Sequence, residues 1–209
     1  MHRVVPLKVH YYGTPVVIVS STNPDGSTNL APMSSAWWLG QNAVLGLGAA
    51  SRTTQNLLRT GEAVLNLAPA DLVDHVDRLA LTTGTPVVPP HKRETGYRYE
   101  PRKFEVAGLT PQASDLVAPD RVLECPIQLE CRVAGSFRIE DDSADAHAIH
   151  VQVVRAHVAD AVLLPGTHHV DPQAWDPLIM KFCDFFGDGQ PLVPSRLAAG
   201  WQMPGRLAG

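Results

Sequence analysis

Short apolar segments separated by tight turns occupy the first third of the chain. Residues 15–21 (PVVIVSS) are mostly β-branched, and the Asn, Pro, Asp and Gly at 23–26 are typical of a tight turn. The apolar pattern resumes at 28–39, turns again at 40–42 and continues through 43–49. Because these connections are so short, the pattern predicts antiparallel strands joined by hairpins.

A short helix is predicted after these strands, because residues 51–54 are typical of a helix start and Gly61 is typical of a helix end. The first turn of a helix leaves backbone N–H groups unpaired and carries positive dipole charge, which favours a bound anion. On spacing alone, Arg52 is equally compatible with an exposed surface position. Several polar residues lie together in this turn: Ser51, Arg52, Thr53, Thr54 and Asn56. Their grouping predicts a site for a phosphate-bearing cofactor.

The rest of the chain adds further strands and one amphipathic helix. An extended segment at 63–67 precedes apolar residues at helical spacing over 72–80. Three later segments alternate well enough to be long strands, at 122–133, 136–139 and 147–158. Together these segments predict a mainly β fold, closed as an antiparallel barrel with a few short flanking helices.

Two segments differ from this pattern. Residues 82–103 are rich in Pro, Gly and basic side chains, and we expect a loop excursion over the barrel with solvated charges. Residues 171–209 begin with several aromatic side chains that a single barrel has difficulty burying. We therefore expect this C-terminal segment to pack on the core or on a second subunit, within a single domain that spans 1–209.

Composition excludes several classes of partner. The chain has 209 residues, 44% of them hydrophobic, which is enough for one sizeable core. A net charge of −4 provides no positive field for nucleic acid or an anionic membrane surface. Charged residues are 18% of the chain, below the usual quarter or so, which favours a homodimer or a cofactor that covers surface. With no run of about 18 apolar residues and no apolar leader, the sequence predicts a soluble, cytoplasmic protein.

Other common catalytic motifs are incomplete in this sequence. Residues 46–51 resemble the start of a dinucleotide-binding loop but lack its third glycine, and Ser34 and Ser35 lack the flanking glycines of a nucleophile elbow. His147 and His150 stand three apart in a predicted strand and therefore face opposite sides. The three cysteines have no C-x-x-C spacing. We therefore predict no metal site and assign no catalytic residue.

Two blocks of the sequence resemble the flavin reductase-like, FMN-binding split-barrel family. The first block is PVVIVSSTNPDGSTNLAPMSSAWWLG and the second is SRTTQNLLRTGEAVLNL. Weaker similarity continues through FEVAGLTP, ECPIQLECRV and DAHAIHVQVVRAHV, so that nearly the whole chain is covered. The resemblance implies a six-stranded antiparallel split β-barrel of Greek-key topology that forms a homodimer, with FMN near the subunit interface.

The same resemblance implies cofactor-binding residues. The NLAPMSSAW segment would lie along the flavin ring, and the S-R-T-T-x-N turn would bind its phosphate. His147 stands where many relatives show Gly-Asp-His beside the flavin, although Ala146 precedes it here. Trp37 or Trp38 would cover the flavin or pack in the core, and Lys181 would approach a phosphate or a partner subunit. The implied set is Asn29, Ala31, Pro32, Met33, Ser34, Ser35, Ala36, Trp37, Ser51, Arg52, Thr53, Thr54, Asn56 and His147.

Three functional hypotheses follow. In the first, the protein is an FMN-dependent oxidoreductase, in which NADH or NADPH passes hydride to the flavin and a second small molecule accepts the electrons. Hydride transfer between stacked rings depends on geometry more than on a protein proton relay, which agrees with the lack of an evident acid–base pair. In the second, the protein binds FMN for electron transfer or storage and does not turn over nicotinamide. In the third, it is a β-barrel interaction module without a cofactor, and residues 51–56 only cap the helix.

Overall fold

A computed structural model of the protein describes residues 2–7, 9–141, 144–187, 189–193 and 195. Its strands are, in chain order, β1 (Tyr12–Pro15), β2 (Val17–Thr22), β3 (Thr28–Met33), β4 (Ala36–Leu39), β5 (Asn42–Gly48), β6 (Glu62–Leu67), β7 (Thr82–Thr83), β8 (Arg98–Tyr99), β9 (Pro111–Gln112), β10 (Arg121–Val122), β11 (Ile127–Asp141), β12 (Ala144–Val158), β13 (Ile179–Lys181) and β14 (Asp184–Phe186). Its helices are α1 (Arg52–Thr60), α2 (Val73–Leu79), α3 (Pro90–Glu94) and α4 (Lys103–Ala107), with 3₁₀ turns at Ala70–Leu72 and Asp160–Val162. None of these helices, within the residues described, is long and apolar enough to cross a lipid bilayer.

Seven antiparallel strands form the main sheet, in the spatial order β3-β2-β6-β11-β12-β5-β4. β3 and β4 lie at opposite edges of this sheet although they are consecutive in the chain. Side chains from both ends of the strand order, including Val17 of β2 and Ala36 of β4, nevertheless share one hydrophobic core. The sheet therefore curls into a barrel that is split between β3 and β4.

This mainly β, antiparallel split barrel confirms the fold predicted from the sequence, but its main sheet has seven strands where we expected six. The difference arises in residues 28–39, whose extended run breaks at Ser34 and Ser35. Pro32 has no N–H to donate and therefore suits an edge strand such as β3. The Gly46 N–H donates to the Ser35 carbonyl at 2.7 Å, which fixes the corner where β4 begins.

The two faces of β2 belong to two different hydrophobic cores. Val17 and Val19 pack inside the barrel with residues such as Leu65 of β6. Val16, which precedes β2, and Ile18 pack in a second core together with side chains of α2 and α4. Because both faces are buried, the β2 segment is apolar at successive positions instead of alternating with polar residues.

The helix predicted at residues 51–61 is confirmed at both ends. Ser51 is the N-cap of α1, with extended backbone and a side chain that accepts the Thr54 N–H. Gly61 follows the last turn at φ 72°, a left-handed conformation that costs glycine little. The Gly61 N–H donates to the Leu57 carbonyl at 2.9 Å and closes the helix.

The two less regular segments contain more structure than expected. Residues 82–103, expected as a loop excursion, include α3 and a parallel pairing of β7 with β8. β13 pairs with β1 on one side and with β14 on the other in a separate three-stranded sheet, and Met180 and Phe185 pack against the second core. The remainder of the C-terminal segment expected at 171–209 lies outside the described residues from 196 onwards, as do positions 188 and 194.

The barrel core predicts the effect of a cavity. Leu65 is fully buried, so we expect Leu65→Ala to lower the free energy of unfolding by about 2–5 kcal/mol. Leu58 lies on α1 with about half of its surface exposed, and Leu58→Ala should change stability by less than about 1 kcal/mol. Urea-induced unfolding of both variants is the measurement, and equal losses would contradict the assignment of Leu65 to the barrel core.

Candidate functional site

A groove of about 500 Å³ lies beside β3, an edge strand of the main sheet. Its walls come from β3 and the corner that follows, from the junction of β5 with α1, and from residues 79–84 after α2. This volume is typical of small-molecule and cofactor sites. The sequence-predicted residues that line the groove are Asn29, Ala31, Pro32, Met33, Ser34, Ser35, Ser51, Arg52 and Thr53.

The N-terminus of α1 gives the groove a positively polarised end. The Thr54 N–H is bound by the Ser51 hydroxyl at 3.1 Å, and the Gln55 N–H makes the first intrahelical bond to the Ser51 carbonyl at 3.1 Å. The N–H groups of Arg52 and Thr53 precede that first bond and have no carbonyl to reach within the helix. The first turn contains no acidic residue. An anion is therefore favoured at this end of the groove.

Arg52 and Asn29 are brought together at this end by Gly84. The Arg52 Nε donates to the Gly84 carbonyl at 3.1 Å, which leaves its two Nη groups for another partner. The Asn29 amide donates to the Thr53 hydroxyl at 3.2 Å, while its buried Oδ1 has no hydrogen-bond partner among the described residues. A Cβ built on Gly84 would lie 2.5 Å from that Oδ1 and 2.9 Å from the Arg52 Cγ. Only glycine fits at this approach.

The wall formed by residues 31–35 suits a flat ring. Ala31, Ser34 and Ser35 have short side chains, and Pro32 is rigid, so the groove runs close to the main chain of β3 and of the corner. Gly46 and Gly48 of β5 extend this wall, and a Cβ on Gly46 would come within 3.1 Å of the Ser35 Cβ. Together with the anion-favouring helix end and the unpaired Asn29 acceptor, these residues fit a planar cofactor that bears a phosphate.

Three predicted residues lie outside the groove lining because their side chains are used within the fold. The buried Thr54 hydroxyl donates to the Gly48 carbonyl at 2.9 Å. The buried Asn56 amide donates to Ser21 at 3.2 Å and to Asn23 at 3.0 Å. Ala36 packs in the barrel core. Thr54 and Asn56 hold α1 in place, and any effect of theirs on a ligand is indirect.

The predicted aromatic and histidine positions also lie away from the groove. Trp37 is 56% exposed and lines a second depression, whereas Trp38 packs against the barrel core. His147 pairs across the sheet with Leu47, which does line the groove, and its buried Nδ1 has no partner among the described residues. The Lys181 ammonium lies 3.7 Å from the centre of the Phe186 ring.

Lys103 is a groove residue that the sequence pattern did not reveal. It opens α4, is almost completely buried and lines the groove, and its Nζ donates to the Leu30 carbonyl at 2.8 Å. Burial, reinforced by the nearby charge of Lys92, lowers its pKa to about 8. The prediction that the basic side chains of residues 82–103 are solvated is therefore wrong for Lys103. The signal in the sequence was the apolar segment that begins at Phe104, which anchors the start of α4 in the second core.

One cluster of potential metal ligands, Asp115, Glu130 and His157, occurs in the described part of the chain. The buried Glu130 carboxylate accepts the N–H groups of Asp115 at 2.9 Å and Leu116 at 2.6 Å, and lies 2.6 Å from the His157 Nε2. Although burial favours its protonated form, these hydrogen bonds hold the pKa of Glu130 below its usual value. Asp115 in turn pairs with Arg155 at 2.6 Å. The cluster is a hydrogen-bonded network that anchors the 115–116 loop.

The relationship to known proteins agrees with this geometry. The model of the flavin reductase like domain matches residues 9–174, which include every groove-lining residue of β3, β5 and α1. The chain belongs to the flavin reductase-like family. The resemblance seen in the sequence is thereby confirmed.

Individual relatives match this chain over most of its length. The uncharacterised protein YdfE of Bacillus subtilis (strain 168) is 38% identical over 183 residues, which are 88% of this chain and 87% of the relative. Flavoredoxin of Desulfovibrio vulgaris (Miyazaki F) superposes with a TM-score of 0.76 at 19% identity, over 95% of this chain and 100% of that one. Component B of nitrilotriacetate monooxygenase from Bacillus cereus superposes with a TM-score of 0.73 at 20% identity, over 93% and 98%. At these identities the two structures show the common fold.

The close approach at Gly84 generates a prediction. In Gly84→Ala the new methyl group must displace Asn29 or Arg52, and we expect the free energy of unfolding to fall by about 1–3 kcal/mol. Gly135→Ala on β11 is the matched control, because a Cβ there meets nothing within 4 Å and should be tolerated. Urea-induced unfolding measures both. If Gly84→Ala proves as stable as Gly135→Ala, the described packing of Gly84 against Asn29 is wrong.

Proposed function

We propose that the protein is an FMN-binding oxidoreductase that is reduced by NADH or NADPH and passes electrons to a small-molecule acceptor. The observation that carries this proposal is the joining of the α1 N-terminus, with Arg52, to the flat wall of β3 in one groove. A phosphate at one end and a planar ring along the wall match the two chemical parts of FMN. Membership of the flavin reductase-like family supports a flavin at this position.

The residues of the groove would bind and orient the flavin. The N–H groups of Arg52 and Thr53 and the free Nη groups of Arg52 would hold the phosphate. The buried Oδ1 of Asn29 would accept a hydrogen bond from the cofactor. The small side chains of the β3 wall would let the ring lie against the main chain and exclude water from that face. A bound flavin supplies hydride and electron transfer, while the protein supplies orientation and electrostatics.

A second copy of the chain is the partner that we propose. Large apolar side chains, including Trp37 and Leu39 of β4 and Phe137 of β11, are exposed in the single chain. Trp37 lines the second depression, which shares Tyr11, Ser34 and Ser35 with the groove. A homodimer that covers these side chains would place the flavin near the interface between subunits.

The alternative function is electron transfer or flavin storage without nicotinamide turnover. It is favoured by the fact that the polar groups of the groove match FMN itself, whereas we have matched no segment of this chain to a nicotinamide nucleotide. Both functions use the same flavin site. Oxidation of NADH or NADPH by the purified holoprotein distinguishes them, since only the first function predicts turnover.

The phosphate assignment predicts the effect of removing Arg52. Arg52→Ala should weaken FMN binding by about 1.5–3 kcal/mol, roughly 10- to 150-fold in Kd, because a charge-assisted hydrogen bond to the phosphate is lost. Titration of apoprotein with FMN, followed by flavin fluorescence, gives the Kd. Arg59→Ala, at the other end of α1, is the control and should bind FMN like the wild type. Riboflavin, which has no phosphate, should bind wild type and Arg52→Ala equally, and unchanged FMN affinity in Arg52→Ala would refute the phosphate site.

The cofactor itself can be identified directly. We expect a visible flavin absorption spectrum from the purified protein, and chromatography of the chromophore released on denaturation should identify FMN. Addition of NADH or NADPH without oxygen should then bleach the spectrum. A colourless protein that also fails to take up added FMN would contradict the proposed function, and a flavin that neither nicotinamide reduces would leave the alternative function.

A further inference from the structure

A buried, positively charged group lies in the wall of the groove. The side chain of Lys103 is 3% exposed and reaches from α4 to the edge of β3, where its Nζ donates to the Leu30 carbonyl at 2.8 Å. That carbonyl is a neutral acceptor, and none of the ion pairs found among the described residues includes Lys103. Burying a charge without an ion pair costs free energy. Fold stability therefore does not explain why Lys103 lies buried in the groove wall.

The surroundings of Lys103 do not neutralise its charge. Lys92 and Glu100 are the charged groups that act on its ammonium group, and their effects oppose each other. The other titratable groups on or packed against α4 are occupied elsewhere. His75 and Arg78 of α2 bond to the Ala107 carbonyl at the far end of α4, and Arg102 pairs with Glu105 on the exposed surface. With a pKa of about 8, Lys103 is charged at neutral pH and loses its proton as the pH rises above that value.

Lys103 and Arg52 are held by different elements that line the groove. Arg52 begins α1 and is held by the Gly84 carbonyl, whereas Lys103 is held by Leu30, which stands between the groove residues Asn29 and Ala31 on β3. If the phosphate occupies the α1 end, the flavin ring lies along β3. The charge of Lys103 is then on the ring side of the groove.

Resting on the proposed function, we propose that Lys103 makes the groove bind reduced flavin more tightly than oxidised flavin. A hydride from a reduced nicotinamide brings two electrons and one proton to the neutral oxidised ring, so the ring gains one negative charge while the nicotinamide becomes a cation. The Lys103 ammonium is buried, so solvent screens its attraction for that negative charge only weakly. Lys103 is thus a residue that tunes the redox equilibrium of the flavin.

The test compares the affinities for the two redox states. We would measure the Kd of oxidised FMN and of dithionite-reduced FMN, without oxygen at pH 7, for wild type and Lys103→Met. The ratio of oxidised to reduced Kd should fall at least about tenfold in Lys103→Met, because the methionine fills the space but carries no charge. Arg102→Met is the matched control, because Arg102 precedes Lys103 in the chain but pairs with Glu105 on the exposed surface outside the groove, and its ratio should stay within about twofold of wild type.

A pH series with a charge-preserving variant gives an independent readout. In the wild type the ratio should fall towards the Lys103→Met value as the pH rises from 7 to about 9.5, since Lys103 loses its proton over that interval. Lys103→Arg keeps its charge and should show a high ratio throughout, whereas Lys103→Met should show a low one. If Lys103→Met does not fold, the contrast between wild type and Lys103→Arg decides the question.

Two results would overturn the proposal. Equal weakening of both redox states in Lys103→Met would show that the lysine only shapes the groove. A loss seen with FMN but not with riboflavin would show that it contacts the phosphate. Failure of the wild type to bind any flavin would instead refute the proposed function, and that failure is visible before any variant is compared.

Discussion

The hydrogen bonds at Ser51 join the barrel to the helix that supplies the polarised end of the groove. The Ser51 N–H and the Thr54 hydroxyl both donate to the carbonyl of Gly48 at the end of β5, at 3.0 and 2.9 Å. The Ser51 hydroxyl accepts the Thr54 N–H, so one short segment ends a strand and starts a helix. These hydrogen bonds set the direction of the first turn of α1, and with it the direction of the unpaired N–H groups. The position of Arg52 follows from it.

The groove also depends on the incomplete closure of the barrel. β3 is an edge strand, so the main-chain groups on its outer side have no strand to pair with. The Leu30 carbonyl accepts a hydrogen bond from Lys103. The small side chains of the β3 wall leave the main chain accessible to a planar ligand. An exposed edge strand can pair with other chains and cause aggregation, but here the edge of β3 forms one wall of the groove. Its cover comes from residues 79–84 and from α4.

Local features of the site could be predicted from the sequence, because they depend on neighbouring residues. The helix cap at Ser51, the left-handed Gly61 and the small-residue wall at 31–35 can each be predicted from a few successive residues. The orientation of individual side chains could not be predicted in the same way. Asn56 stands in the correct turn but faces Ser21 and Asn23, and Trp37 stands on the strand after the wall but faces outwards. The direction in which such a side chain points is determined by packing between segments that are distant in the chain.

Lys103 shows the same limit more sharply. It follows Leu30 by 73 residues, and the basic segment that precedes it resembles a solvated loop; the only local signal is the apolar segment that begins at Phe104. The position of Lys103 is set by tertiary packing, because α4 packs on the second core and its first residue, Lys103, thereby reaches the Leu30 carbonyl of β3. Gly84 is a comparable case, since only the approach of Asn29 and Arg52 reveals that a side chain has no room there.

Arg52 and Lys103, two of the cations that line the groove, differ in burial, and this difference separates their effects. Arg52 is only partly buried and lies beside unpaired helix N–H groups, so its attraction for an anion would be shared with them and partly screened by solvent. Lys103 is buried, where the same charge acts more strongly but is costly to maintain without a counter-ion. A negative charge that forms only on reduction would offset that cost in one redox state and leave it in the other. Burial of a lysine is therefore a property that would allow a binding site to discriminate between two states of one ligand, and a partly buried arginine beside helix N–H groups does not provide it.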